Sequence, residues 1–209
     1  EKSPYYDLAK KHKLKIDFRP FIHVEGVSAK EFRQTKISIA EHTAMIFTSR
    51  TAIDHFFNIC EEMKISIEDG WKYFCSSESV AFYLQKYIVY RKRKIFYGNG
   101  KFDDLLDIIK KHKSEKYLVP LSNISKQKIP DKLKKAKIRF TKAVLYKTVS
   151  SDLSDLSNVN YDILVFFSPS GIKSLLDNFP EFKQNTTKIA AFGPTTAKSV
   201  QDANLRLDI

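Results

Sequence analysis

Short runs of apolar and β-branched residues alternate along this chain with amphipathic stretches of helical period. Apolar side chains that recur every three to four positions predict helices, and short runs of consecutive apolar or β-branched residues predict strands. The predicted helices cover residues 5–13, 51–63, 79–87, 102–111, 172–177 and 197–203. The predicted strands cover residues 15–24, 44–47, 72–74, 94–96, 117–119, 138–149, 163–167 and 189–192.

The order of these elements predicts the fold class. Helices between successive strands supply the crossovers that parallel pairing requires, so we predict an α/β protein with parallel sheets. Short apolar runs such as Ile163-Leu-Val-Phe-Phe167 are predicted to be buried strands. No apolar run approaches the roughly 20 residues that span a bilayer, which predicts a soluble protein.

An internal repeat predicts two similar α/β units. The segments Phe47-Thr-Ser-Arg-Thr-Ala-Ile53 and Phe166-Phe-Ser-Pro-Ser-Gly-Ile172 share Phe, Ser, a hydroxyl residue, a small residue and Ile. About 25 positions after each serine comes a second strand-turn-helix segment, Tyr73-Phe-Cys-Ser-Ser-Glu-Ser-Val-Ala81 and then Ala191-Phe-Gly-Pro-Thr-Thr-Ala197. Such a pattern is typical of a duplication. Two facing units are predicted to enclose a ligand cleft.

In each of these four segments a strand is predicted to end in Ser or Thr where a helix begins. Hydroxyls then occupy N-cap positions beside backbone N–H groups that have no partner within the helix. Such a turn can hold a carboxylate or phosphate, and ligands of open α/β sheets lie at the carboxyl ends of strands. Helix capping alone is the more frequent role of one such turn, but four turns in duplicated units favour a ligand with several acidic groups.

Composition and charge narrow the range of partners. The chain has 209 residues, of which 43% are hydrophobic, so it can bury one large core or two small ones. Its net charge is +12, and the region from Arg91 to Lys147 holds 18 Lys and Arg against 5 Asp and Glu. This excess attracts either nucleic acid or a small ligand rich in carboxylates or phosphates. The charge excess is explained equally well by a helix and loop that are simply exposed to solvent, around Lys132, Lys134, Lys135 and Lys137.

Several catalytic and binding motifs are missing from the sequence. Glycine-rich nucleotide-binding patterns are absent, and Gly98-Asn-Gly100 is better explained as a turn. The histidines form no metal-binding pair, and no GxSxG elbow supports a Ser-His-Asp triad. Cys60 and Cys75 are too few for a disulfide framework, which favours a reducing cytoplasm. The acidic pairs Asp103-Asp104 and Glu61-Glu62 are predicted to lie on solvated helical faces.

The order and spacing of these motifs resemble the uroporphyrinogen-III synthase family of haem and other tetrapyrrole biosynthesis. The family's Phe-Thr-Ser motif is similar to the segments at Phe47 and Phe167, and its Ile-Gly-Pro-Thr-Thr-Ala turn is similar to Ile189-Ala-Ala-Phe-Gly-Pro-Thr-Thr-Ala197. Its Leu-Pro-x-Gly and Val-Tyr-Arg-Thr stretches correspond to Val119-Pro-Leu-Ser-Asn123 and Leu145-Tyr-Lys-Thr148. The resemblance therefore spans nearly the whole chain.

The chain also departs from the family pattern. Cys75 stands in place of a usual Gly, Glu78 in place of a common Thr, and Lys147 in place of Arg. The family's opening strand is expected before Glu1, and its last helix after Ile209.

The resemblance implies two α/β domains joined by a two-stranded β ladder, with a cleft between them. The ladder strands are expected near residues 20–24 and 144–149. One discontinuous domain is expected to combine residues 1–22 with 148–209, and a second, basic domain to hold residues 23–147. A hinge between the two would make the cleft adjustable.

The resemblance further implies a lyase that works as a monomer without cofactor or metal. It closes the linear tetrapyrrole hydroxymethylbilane, which carries eight carboxylates, to uroporphyrinogen III with inversion of ring D and loss of water. Because loss of the terminal hydroxyl leaves an azafulvene cation, the enzyme mainly needs a proton donor and a rigid shape. Tyr146 matches the family's tyrosine and is expected to donate the proton or position water, although a packed strand aromatic is the alternative. The residues expected to bind carboxylates are Thr48, Ser49, Ser76, Ser77, Ser122, Asn123, Ser168, Ser170, Thr195 and Thr196.

Two other functions stay open at this point. A non-catalytic tetrapyrrole-binding or regulatory relative would be stabilised by the cyclic product without turnover. A nucleic-acid-associated α/β module would use the region from Arg91 to Lys147 and would bind with a steep salt dependence.

Overall fold

The computed structural model describes residues 3–125 and 127–209, in which helices and strands alternate. The helices are α1 (Pro4–His12), α2 (Ala29–Gln34), α3 (Arg50–Glu62), α4 (Glu78–Tyr83), α5 (Phe102–Lys110), α6 (Lys128–Lys135), α7 (Pro169–Asn178) and α8 (Pro194–Asp202). The strands are β1 (Ile22–Gly26), β2 (Ala44–Phe47), β3 (Lys72–Cys75), β4 (Ile95–Tyr97), β5 (Tyr117–Ser122), β6 (Phe140–Ser150), β7 (Ile163–Phe166) and β8 (Lys188–Ala191). Short 3-10 helices span Ile39–Glu41, Leu84–Lys86 and Ser154–Leu156. None of these helices is long and apolar enough to cross a membrane.

The chain forms two compact units. Unit 1 combines the residues up to His23 with Val149–Ile209, and unit 2 holds Val24–Thr148. The chain passes from one unit to the other within β1 and again within β6, and these strands are neighbours in a six-stranded sheet of order β1-β6-β5-β2-β3-β4. β2 pairs in parallel with β3 and β5, β3 with β4, and β5 with β6. The structure therefore confirms the α/β class with parallel strands.

The side chains of the central strands in unit 2 alternate between two hydrophobic cores. On β2, Met45 and Phe47 pack with residues of α3 and α4, including the fully buried Phe56. Ala44 and Ile46 point to the other face and pack with residues of α5 and α6. Because helices cover both faces, these strands read as continuous apolar runs, which is why the sequence locates them well.

Unit 1 has a two-stranded parallel sheet of β7 and β8. Its core contains Phe166, Ile189 and residues of α7 and α8. Ile163 and Val165 face away from this core and are each 46% exposed. The prediction that residues 163–167 form a buried strand is therefore wrong in one respect: the strand exists, but only Phe166 is buried and Leu164 is half-buried.

One further prediction about local structure needs correction, and helix α2 is absent from the predicted elements. The predicted strand over residues 15–24 begins only at Ile22. The residues before Ile22 are held by side-chain contacts instead, because Asp17 accepts hydrogen bonds from Tyr161 (2.6 Å) and Arg19 (3.0 Å). The bond from Tyr161 is the main reason that the pKa of Asp17 is lowered. The six-residue helix α2, capped by Ser28, is too short to give a periodic signal and was not predicted.

The last residues of the chain lie along the outer edge of β8. The N–H of Ala191 donates to the carbonyl of Ile209 (3.0 Å), and the N–H of Asp208 donates to the carbonyl of Ile189 (2.9 Å). The Asp208 carboxylate accepts from Arg206 Nε (2.7 Å), the N–H of Ile189 (2.9 Å) and Gln184 Nε2 (3.0 Å). The bond from Arg206 is the largest cause of the lowered pKa of Asp208. Asp208 thus fastens residues 205–209 to β8.

We predict that Asp208→Ala loosens residues 205–209 and speeds hydrogen exchange at the amide of Ile189, because that amide loses its acceptor. Exchange measured by NMR or mass spectrometry checks this, with the exposed Glu181→Ala as the control. Because the pKa of Asp208 is lowered in the folded chain, its contribution is present above the ordinary aspartate pKa and is lost as the pH falls through the lowered value. Equal exchange in both variants at neutral pH would contradict the assignment.

Candidate functional site

The turn between β2 and α3 carries the first predicted hydroxyls of unit 2. Ser49 is the N-cap of α3, and its Oγ accepts a hydrogen bond from the N–H of Ala52 (3.1 Å). Thr48 precedes it, and both residues are half-buried. Helix α3 has 13 residues, so a substantial helix dipole has its positive end at this turn.

The turn after β3 lies beside the turn after β2. Phe47 pairs with Cys75, so the next residues along both strands emerge at the same edge of the sheet. Ser76 links the two turns, because its N–H donates to the carbonyl of Phe47 (2.9 Å) and its hydroxyl donates to the carbonyl of Thr48 (3.2 Å). Ser77 is the N-cap of the short helix α4 and lies 3.1 Å from the hydroxyl of Ser79.

Tyr146 lies at the same edge, on β6. It pairs with Ser122 of β5 just after a register shift between Leu121 and Ser122. Such an irregularity re-aims the side chains that follow it. The Tyr146 hydroxyl lies 3.5 Å from Ser49 Oγ, although the two residues are 97 positions apart in the chain. Two sequence-predicted site residues therefore meet directly.

The ring of Tyr146 is held by His55, a residue that sequence reasoning missed. His55 lies on α3 and stacks on Tyr146 with ring centroids 5.1 Å apart and planes inclined by 16°. Gly26 makes room for this stack, because a Cβ atom there would lie 3.0 Å from His55 Nδ1. Burial lowers the pKa of His55, so the imidazole is uncharged at neutral pH. No motif in the sequence joins residues 26, 55 and 146, and only the fold brings them together.

Ser122 and Asn123 use much of their hydrogen-bonding capacity within the loop after β5. Ser122 Oγ donates to Asn123 Oδ1 (3.1 Å) and accepts from the N–H of Ile124 (3.3 Å). Asn123 Oδ1 also accepts from the N–H of Thr148 (3.0 Å), and the N–H of Asn123 donates to the carbonyl of Tyr146 (3.1 Å). These bonds fix the backbone of β6 at Tyr146 and at Thr148, just after it.

The two predicted turns of unit 1 differ from each other. Ser168 is the N-cap of α7, as predicted, but its side chain makes no capping hydrogen bond, and Ser170 follows inside the helix. At the second turn the N-cap is Gly193, with φ of 84°, rather than a threonine. The expectation of a hydroxyl N-cap is wrong there, because the left-handed backbone favours glycine.

The two threonines of this second turn lie in the first turn of α8. Thr195 is exposed, whereas Thr196 is only 3% exposed. Of the pair, only Thr195 presents its side chain to solvent. Phe166 pairs with Ala191, so the turns after β7 and β8 lie side by side, as they do in unit 2.

Several cations of the basic region have carboxylate partners. Lys132 lies 2.6 Å from Asp103, and Lys110 lies 2.8 Å from Asp107. Asp104, which was predicted to be solvated like Asp103, has one carboxylate oxygen buried without a hydrogen-bond partner in the described part of the chain. Asp104 lies in the first turn of α5, where the helix dipole favours a negative charge.

Unit 1 also contains an open groove of about 1000 Å³. Phe21, Leu164, Leu175, Phe179 and Phe182 contribute its apolar lining. The groove reaches the amino ends of β7 and β8, at Asp162 and Lys188. It therefore lies at the end of these strands opposite the hydroxyl-bearing turns.

Comparisons with known proteins give one family match and several similar solved structures. The family model described as uroporphyrinogen-III synthase HemD matches residues 3–209. No curated protein matches the chain significantly. Among solved structures, the chain is similar to uroporphyrinogen-III synthetase from Helicobacter pylori, with a TM-score of 0.59 and 20% identity over 90% of this chain and 82% of that chain. It is also similar to a mutant uroporphyrinogen III synthase from Thermus thermophilus, with a TM-score of 0.54 and 14% identity over 97% and 85% of the respective chains. These likenesses show that the chain has the fold of those proteins.

We predict that Ser49→Ala and Ser168→Ala have unequal effects on stability. Ser49→Ala removes a capping bond and should lower the free energy of unfolding by about 1 kcal/mol. Ser168→Ala removes no capping bond, so its change should stay within about 0.5 kcal/mol. Denaturant titration of both variants measures the difference. Equal losses would contradict the capping roles given to these two serines.

Proposed function

This chain belongs to the uroporphyrinogen-III synthase family, an enzyme family of haem biosynthesis, and we propose that it closes hydroxymethylbilane to uroporphyrinogen III. The terminal ring is inverted during closure, and water is lost. The family match over residues 3–209 carries this proposal. The position of Tyr146 beside Ser49, at the carboxyl edge of the parallel strands of unit 2, supports it.

Tyr146 is the proposed proton donor. When the terminal hydroxyl of the substrate departs, the phenolic proton passes to it and water leaves, while the remaining methylene carries the cationic charge of the azafulvene. The phenolate that forms lies near the N-terminus of α3, where the partial positive charge of the helix stabilises it. The proton lost from the substituted ring after closure restores the phenol, so protons balance over the cycle.

Ser49 and His55 set the geometry of this donor. Ser49 Oγ is fixed by the N–H of Ala52 and lies within reach of the Tyr146 hydroxyl. His55 stacks on the phenol ring and restricts its rotation, and as an uncharged imidazole it leaves the site free of a competing cation. A donor held in one orientation needs little rearrangement at the moment of reaction.

The substrate carboxylates are proposed to bind at the hydroxyls and backbone N–H groups of the strand-end turns. Because many hydroxyls already bond within the protein, the backbone N–H groups of the first helical turns are the more versatile donors. The net charge of +12 draws a polyanionic substrate toward the protein. The proposed sites are Thr48, Ser49, Ser76, Ser77, Ser122, Asn123, Ser168, Ser170, Thr195 and Thr196.

The enzyme is proposed to act as a monomer in the cytoplasm, on its small-molecule substrate and without nucleic acid. Cys60 and Cys75 are buried free thiols. Burial raises the pKa of each to about 12, which keeps them as unreactive thiols. The proposed reaction breaks a carbon–oxygen bond, forms a carbon–carbon bond and moves protons with no change in oxidation state, and we propose that it proceeds without cofactor or metal.

The isomer ratio of the product tests this function. We predict that the chain, supplied with freshly made hydroxymethylbilane, yields mainly the type III isomer, whereas uncatalysed closure yields type I. Oxidation to the porphyrins followed by chromatography separates the two. A product that is only type I would contradict the proposed reaction, and stabilisation by the cyclic product without turnover would then favour a binding role.

We further predict that Tyr146→Phe retains the fold but lowers turnover by about 10²-fold or more, because general acid catalysis contributes on this scale. The variant keeps the ring that stacks on His55 and loses only the hydroxyl. Tyr90→Phe removes a phenol hydroxyl elsewhere in unit 2 and serves as the matched control. Near-wild-type turnover in Tyr146→Phe, with thermal stability unchanged, would dismiss the assignment.

A further inference from the structure

Two phenylalanines stand exposed where the strands of unit 1 end. Phe167 follows β7, Phe192 follows β8, and the parallel register between Phe166 and Ala191 places them side by side. Their rings stack with centroids 4.8 Å apart and planes inclined by only 11°. Phe167 is nevertheless 60% exposed and Phe192 is 55% exposed. We call this pair the aromatic platform.

Three other aromatic residues of unit 1 form a chain of ring contacts that begins at the platform. Tyr5 meets Phe167 edge-on, with centroids 6.1 Å apart, and lies at the same distance from Phe18. The ring centroids of Tyr6 and Phe18 lie 5.5 Å apart. Tyr6 and Phe18 are themselves about half exposed. The edge-on contact from Tyr5 supports the platform without burying it.

The surroundings of the platform indicate what kind of molecule covers it. Next along the chain come the first turns of α7 and α8, whose backbone N–H groups favour negative charge. The Ser168 side chain makes no capping bond, and Thr195 is exposed. Above Gly193 the space is open, because nothing lies within 4 Å of the place where a Cβ would stand. A flat ring that carries acidic substituents fits this succession of aromatic faces and anion-favouring turns better than a purely apolar partner does.

We propose that the outer face of this two-ring stack lies against one carboxylate-bearing pyrrole ring of the tetrapyrrole substrate, so that one phenylalanine contacts the pyrrole and the other supports it from behind. This inference rests on the proposed function and assigns a role to the aromatic residues that precede the hydroxyls in the two turns of unit 1. The platform holds the plane of the ring, and the amides of the adjoining helical turns receive its carboxylates. Stacking is made in the ground state and kept during closure, so it contributes to substrate binding rather than to the chemical step.

The test separates aromatic stacking from simple hydrophobic contact. Phe167→Leu and Phe192→Leu keep most of the apolar area but remove the flat face, so KM for hydroxymethylbilane should rise about 3- to 10-fold with kcat unchanged. Phe167→Tyr keeps the ring and should leave KM close to that of the wild type. Phe82→Leu, at a phenylalanine of α4 that is 59% exposed, is the matched control and should leave both constants unchanged. Thermal melting checks that all variants fold.

Binding of uroporphyrinogen III separates failure of the platform from failure of the proposed function. If the wild type forms no type III isomer, the proposed function fails. The platform is then tested by the Kd for uroporphyrinogen III. Weaker binding by both leucine variants than by the wild type supports the platform. Equal KM and Kd in the wild type and the leucine variants would overturn it, and so would the absence of any binding by the wild type. A wild-type dimer that dissociates on Phe167→Leu without a change in KM would also overturn it, because the rings would then join two copies of the chain.

Discussion

Parallel strand pairing is the constraint on which the arrangement of polar residues in this protein depends. Parallel neighbours end at the same edge of a sheet, so residues far apart in the chain emerge together there. The pairing of Phe47 with Cys75 puts Thr48 next to Ser76, and the pairing of β5 with β6 puts Ser122 next to Tyr146. The same rule acts in unit 1, but there it brings two aromatic rings together instead of two hydroxyls.

The sequence predicts most of the strands because of how they are buried. Ala44–Phe47 is buried on both faces, so it appears as an unbroken apolar run and its bounds match the prediction. β7 also appears as an apolar run, yet helices cover only one of its faces, and no local pattern distinguishes these two situations. The residues 15–21 contain β-branched and aromatic side chains but have no partner strand, and only tertiary structure decides that.

The site was predictable where it depends on local chemistry and not where it depends on packing. Ser49, Ser77 and Ser168 are N-caps because Ser between a strand and a helix favours that position. Gly193 takes the equivalent place before α8 because the backbone there has a positive φ. His55 could not be found from the sequence, since its role comes from a stack on Tyr146 that the close approach of Gly26 permits. Family resemblance selected Tyr146 without indicating what holds it.

The segment fastened to β8 by Asp208 has a consequence for self-association. An uncovered strand edge offers a row of unpaired N–H and C=O groups on which a strand of another molecule can add. In this chain residues 205–209 already occupy part of that row, through the backbone groups of Ile189 and Ala191. The carboxylate of Asp208 also fills the position of an acceptor on an incoming strand. Residues 205–209 thus cover part of the β8 edge and leave fewer of its backbone groups available to an incoming strand.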